Sequence, residues 1–128
     1  TEGPEPGKPE IVVVKMQGII SYSDFEKVEM RVGRIIEVED FPKAKKPAYK
    51  LTIDFGSEIG VKKSSAQITK LYKKEELPGK LVIAVVNFPP KKIADFISEV
   101  LVLGVNDEEG NVVLLTTERN VKLGEKVY

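Results

Sequence analysis

Ala48-Tyr49-Lys50-Leu51-Thr52-Ile53-Asp54-Phe55 is the stretch that decides the fold. Leu51, Ile53 and Phe55 share one parity, and Lys50, Thr52 and Asp54 share the other. This is the period-two pattern of a strand with one buried face. On its N-terminal side lies Arg31-Val32-Gly33-Arg34-Ile35-Ile36-Glu37-Val38, the body of a strand expected from Met30 to Glu39. Gly33 stands in the middle of that strand, where glycine marks a bulge or sharp bend of the kind that barrel strands need as they curl. On its C-terminal side, Gly56 to Gly60 makes a tight connection with glycine at both ends. A hairpin is expected there, leading into Val61 and Lys62-Lys63-Ser64-Ser65-Ala66-Gln67-Ile68.

Farther along, Ile68, Leu71 and Tyr72 fall at helical spacing, which predicts a short helix over Gln67 to Lys74, ended by Leu77-Pro78-Gly79. Leu81 to Val86 is an almost continuous apolar run and reads as a central strand. Pro89 and Pro90 force a loop. Ile93 to Ile97 fits more than one element, Glu99 to Val105 is a strand, and Asn106 to Asn111 is a turn with Gly110 suited to positive φ. Val112 to Thr116 returns, and Val121 to Tyr128 adds a short extended piece. Upstream, Ser23-Asp24-Phe25-Glu26 fits a capping box that opens one helical turn through Val28. Ile11 to Lys15 is β-branched and extended, while Thr1 to Pro9 has the Gly, Pro and Glu content of an arm without core capacity. The division expected is an arm over 1–10 and one domain over 11–128.

Many short strands with few helices and closely spaced turns predict an all-β fold of small α content. A small helix between the third and fourth strands is the arrangement of a five-stranded, Greek-key OB-fold barrel, here with short helices and extra terminal strands.

Composition removes whole classes of chemistry. The 128 residues include no histidine and no cysteine, so the usual general base, thiol nucleophiles, zinc knuckles and iron–sulfur ligation are missing. No catalytic constellation, metal or cofactor is expected. No long uncharged apolar run predicts a membrane span, no secretory leader is visible, and a cytoplasmic protein is the natural expectation. The formal net charge is zero, yet the charges are segregated. Between residues 41 and 74 nine lysines (43, 45, 46, 50, 62, 63, 70, 73 and 74) face only Asp54 and Glu58, whereas residues 1–40 and 93–128 are each acidic in balance. A segregated lysine block holds a local positive potential of the kind that phosphate backbones meet.

Four places carry candidate contacts. Lys62-Lys63-Ser64-Ser65-Ala66-Gln67 sets two cations, two hydroxyls and an amide at a strand end entering the expected helix, where backbone amides favour an anion; Ser64 and Ser65 could equally cap that helix. Asn87-Phe88-Pro89-Pro90-Lys91-Lys92 joins an aromatic face for stacking to two lysines, though Phe88 could instead plug the barrel end. Arg31 and Arg34 could fork onto phosphate or pair with Glu29, Glu37 or Glu39. Ser98 and Glu99 could accept from exposed base edges, or be ordinary strand-start residues.

In this order, the arginine-glycine strand, the serine turn, the Asn-x-x-Pro loop and Ser98-Glu99-Val100-Leu101-Val102-Leu103-Gly104 resemble a family of stand-alone tRNA-binding domains, over Asp24 to Tyr128. Within it the likeness is strongest to the branch of export-related chaperones called CsaA. The resemblance implies an oligonucleotide-binding barrel that recognises folded tRNA without a catalytic step. Carried over by position, it implies a contact surface of Arg31, Lys62, Lys63, Ser64, Gln67, Asn87, Lys91, Lys92, Ser98 and Glu99, to which Phe88 adds its ring. The chain departs from synthetase-appended members at Phe41 to Pro47, where those have a His-Pro-Asp-Ala type of loop, and at Val100, where they have glycine. Both departures fit the chaperone branch. The alternative function is therefore the holding of unfolded secretory preproteins in an apolar groove. A homodimer is expected through Val100, Leu101, Val102 and Leu103, because both faces of that strand are apolar and a barrel needs only one.

Overall fold

The computed structural model describes residues 18–128, so the expected arm over 1–10 and the Ile11 to Lys15 run lie outside the described residues. The longest strand, β1 (Met30–Asp40), serves both halves of the sheet. Its first half pairs antiparallel with β4 (Leu81–Val85), and its second half with β2 (Tyr49–Asp54), which pairs in turn with β3 (Val61–Ala66). With β7 (Leu101–Val102) beside β4, the order is β3-β2-β1-β4-β7. Two hairpins complete the fold, β5 (Lys91–Ile93) with β6 (Phe96–Ser98) and β8 (Gly104–Asn106) with β9 (Val112–Leu114). The result is a nearly closed, five-stranded antiparallel barrel of the OB type.

Leu51 and Ile53 on β2 are fully buried, as the alternation requires, and Phe55 just beyond it is nearly so; Ile35, Leu77 and Val82 join them in the core. Each such side chain withdrawn from water contributes roughly 1.5–3 kcal/mol. Gly33 does not mark the bulge. The register slips between Ile35 and Glu37 instead, and Gly33 is needed for packing. A Cβ there would lie 2.6 Å from Ile53 Cγ2 and 2.7 Å from Phe55 Cε1, so only glycine lets those two side chains fill the barrel centre.

The barrel closes through one backbone bond and several side-chain bonds. Between the edge of β3 and the segment joining β6 to β7, the Glu99 N–H donates to the Lys63 carbonyl at 2.7 Å, and the Lys63 N–H donates to Glu99 Oε1 at 3.0 Å. One residue pair along, the Ser65 N–H reaches Ser98 Oγ at 3.4 Å, and the buried Ser64 hydroxyl donates to the Val100 carbonyl at 2.9 Å. The single strand expected over Glu99 to Val105 is thus broken into separate pieces, because Glu99 and Val100 turn inward to close this seam. Pairing resumes on β4, where the Leu103 N–H donates to the Ile83 carbonyl.

The helix expected over Gln67 to Lys74 does not form. Tyr72 N–H bonds Ile68 O, but Lys73 is extended (φ −84°, ψ 146°) and ends the turn there, and the Tyr72 carbonyl accepts from the Tyr49 hydroxyl at 2.9 Å. Only a 3₁₀ turn follows, over Lys74–Glu76. The N-terminal helix, α1 (Tyr22–Glu26), does form, two residues earlier than its sequence signature placed it. Its capping box is Ser21 with Asp24, at 3.2 and 3.1 Å. The C-terminal piece lies along the first half of β1, with Gly124 N–H donating to Val32 O and Val127 N–H to Met30 O. Among the described residues no helix is long and apolar enough to cross a membrane.

Candidate nucleic-acid interface

A second, smaller core positions the site. Phe41 at the end of β1, Ala48 and Phe96 are buried together, with Ala44 and Ile93 packed against them. The two rings meet edge-on, centroids 5.4 Å apart. Lys50 projects from β2 over both, 5.1 Å from the Phe41 centroid and 5.5 Å from that of Phe96, an arrangement worth about 0.5–1 kcal/mol where solvent reaches it. Lys43 bonds Asp95 at 2.9 Å across the same junction, and that hydrogen bond holds the Asp95 carboxyl below its ordinary range. Together these contacts fasten the β1–β2 loop to the β5–β6 hairpin.

Two clefts open where loop and hairpin meet. The first, of about 400 Å³, lies among Lys43, Lys45, Lys46, Gln67 and the Phe41 and Ile93 side chains. The second, of about 380 Å³, is lined by Phe88, Pro89, Lys91, Ile93, Glu99 and Leu101, among others. Ser65 and Ile93 border both, so the clefts adjoin. Lys45 and Lys46 at the first, Lys91 at the second and Lys92 next to it on β5 are exposed and make no ion pair among the described residues.

The sequence-predicted contacts fall into two groups. Gln67, Phe88, Lys91 and Lys92 are exposed at this rim. Phe88, at 53% exposed, does not plug the barrel. Ser98 and Glu99 are half-buried in the wall of the second cleft and take part in the seam. Ser64 is 1% exposed and caps no helix, since none follows; its hydroxyl is turned into the seam. Lys62 and Lys63 project on opposite faces of β3, with Lys62 on the parity of buried Ser64. Asn87 uses both ends of its amide inside the molecule, donating to Lys27 O at 2.7 Å and accepting from Glu29 N–H at 3.1 Å. Arg31 is also engaged, for its guanidinium donates to Glu29 Oε1 at 3.0 and 2.7 Å and to Gly124 O at 3.0 Å. Arg34 donates to Gly79 O. The expected dimer strip divides as well. Val100, 5% exposed, belongs to the core because its backbone is drawn into the seam, while Val102 and Leu103 are half-buried and Leu101 is 49% exposed.

Sequence reading left Lys45 and Lys46 in the charge block without assigning them to a site. The available signal was Phe41, an aromatic residue placed to anchor a loop whose lysines stand between Pro42 and Pro47.

Residues 30–126 match the family model described as "Putative tRNA binding domain". The solved CsaA chaperone protein from Picrophilus torridus is 59% identical, with a TM-score of 0.81 over 86% of this chain and all of that one. Chaperone CsaA from Bacillus anthracis is 48% identical, with a TM-score of 0.81 over 87% of this chain and all of that one. The methionine–tRNA ligase of Methanocaldococcus jannaschii is 44% identical over 114 residues, 88% of this chain but only 17% of the ligase.

Proposed function

The chain belongs to the tRNA-binding-domain family, and from that premise we propose that it binds folded tRNA, without a catalytic step, at the rim where the β1–β2 loop meets the β5–β6 hairpin. The observation that carries this reading is a set of exposed lysines without ion-pair partners among the described residues: Lys45 and Lys46 in the lining of one cleft, Lys91 in the lining of the adjoining one, and Lys92 next to Lys91 on β5. Lysine ammonium groups neutralise phosphate and release counterions, which gives affinity without sequence preference. Gln67 and the outward-facing Lys63 extend the same surface, and Arg31 serves it indirectly by fixing the C-terminal segment. The chain spans 17% of the ligase to which it is similar, so the reading is confined to binding by this domain, acting in the cytoplasm.

A second reading has its own support. The second cleft is mostly apolar, and two similar solved structures are chaperones, which favours the holding of unfolded secretory preproteins. Titration of bulk tRNA and of a permanently unfolded polypeptide, each at two salt concentrations, separates the readings. Binding of tRNA should weaken steeply with salt, whereas apolar capture should be insensitive to it or strengthened. Exposed Leu101 and Val105 support a homodimer, which would present two rims to one RNA. Light scattering at micromolar and much lower concentration tests it; a monomer at both removes it.

A further inference from the structure

The second cleft contains an acid that phosphate binding does not require. Glu99 is held on two sides, its backbone N–H donating to Lys63 O and its Oε1 accepting from the Lys63 N–H. Its Oε2 has no hydrogen-bond partner among the described residues, although the side chain is half-buried in the cleft wall. Most of the remaining lining is apolar, Phe88, Pro89, Ile93, Val100 and Leu101, with Ser65 and Ser98 beside them. Lys91, cross-strand partner of Ser98, lines it as well.

A carboxylate repels a phosphate backbone, so its place beside lysines on a basic rim points to a different part of the nucleotide. A carboxylate oxygen accepts from the exocyclic amine of a base edge, an exposed aromatic ring stacks on the base plane, and a neighbouring lysine meets the phosphate. We propose that this cleft takes one unstacked nucleobase of the bound RNA and selects bases with an exocyclic amine, cytosine over uracil. The uracil edge presents its single N–H between two carbonyl oxygens, which the carboxylate repels. This inference rests on the tRNA-binding reading and adds to it a base preference at one subsite.

The test is fluorescence anisotropy with 5′-labelled cytidine and uridine decamers at one salt concentration, with bulk tRNA titrated in parallel. Cytidine runs stack more than uridine runs, so the change in the ratio of the two on altering Glu99 reports the base edge. The wild-type chain should prefer the cytidine decamer by roughly tenfold, the size of one hydrogen bond to a charged acceptor. Glu99→Gln keeps an oxygen for the Lys63 N–H, because the alternative places two donors face to face, and so puts an amide donor where Oε2 stood. The preference should then turn toward uridine. Phe88→Leu, at an exposed position, should weaken both decamers by roughly tenfold with an unchanged melting temperature. Equal binding of the two decamers by the wild-type chain overturns the base-reading cleft, as does a folded Glu99→Gln chain with an unaltered ratio. If tRNA is still bound with steep salt dependence in those cases, only the subsite falls. If neither tRNA nor decamer binds, the tRNA reading falls with it.

Discussion

Two basic regions of this molecule look alike in composition and differ in what their charges are doing. Around the start of β1, Arg31 donates twice to Glu29, Lys126 approaches the same carboxylate at 3.4 Å, and Arg31 also holds the Gly124 carbonyl. These cations are spent on docking the C-terminal segment. Around the loop and hairpin, Lys43 is paired with Asp95 and Lys50 covers two rings, but Lys45, Lys46, Lys91 and Lys92 stand free of ion pairs among the described residues. The difference teaches that the number of cations in a region says little about its capacity for phosphate; the positions of the neighbouring carboxylates decide it.

The strongest way to break this contrast is to remove both sets of cations separately. Replacing Lys45, Lys46, Lys91 and Lys92 together by Gln should lower tRNA affinity by roughly 10²–10³-fold near 0.1 M salt, since each lost contact flattens the salt dependence by about 0.7–0.9. All four are exposed, so the melting temperature should barely move. Arg31→Met should do the opposite, leaving the salt slope as it was while loosening the C-terminal segment. If Arg31→Met flattened the slope and the quadruple variant did not, the two regions would have to exchange roles.

A smaller effect is expected beneath both regions. Gly33→Val would force a Cβ against Ile53 and Phe55 and should cost roughly 1–3 kcal/mol of stability, read from urea unfolding, with affinity per folded molecule preserved. Smaller again is Ser64→Ala, which removes the buried hydroxyl bond to Val100 O and should cost about 1 kcal/mol. A folded Ser64→Ala chain with weakened tRNA binding would show that the serine touches RNA after all, and would blur the line between seam and rim.

How much of this could be read from the sequence depended on whether a signal was local. The alternation in Tyr49 to Phe55, the glycine-bounded hairpin and the apolar Leu81 to Val86 run are local, and β2, the β2–β3 turn and β4 formed where they were expected. The β5–β6 hairpin hid in an ambiguous run because its turn uses Ala94 at φ 54°, a conformation that no glycine announced. The Gln67 to Lys74 helix stops after a single turn because Lys73 is extended, and the Tyr72 carbonyl meets the Tyr49 hydroxyl from 23 positions away. Site residues were harder for the same reason. Ser64, Ser98, Glu99, Asn87 and Arg31 carry the polar groups of a binding site, but most of the partners that engage them lie 33 to 93 positions away. Sequence spacing does not encode such pairings.

The subtlest test of the contrast uses pH on the engaged region. The hydrogen bond from Arg31 holds the Glu29 carboxyl below its ordinary value of 4.5, against a smaller opposing effect of burial, and Lys126 adds to the lowering. A carboxyl depressed in the folded state contributes stability that is fully present above 4.5, where the unfolded chain is ionised too; it is lost as pH falls through the lower folded value. Glu29→Gln should therefore melt below the wild type near neutral pH, and the two curves should converge once the medium is well below 4.5. The rim lysines have no acidic partner among the described residues, so removing them should leave the pH profile of stability parallel to that of the wild type. Parallel profiles for Glu29→Gln as well would mean that the carboxylate does not hold the C-terminal segment, and that the cations around it are as available to phosphate as those of the loop and hairpin.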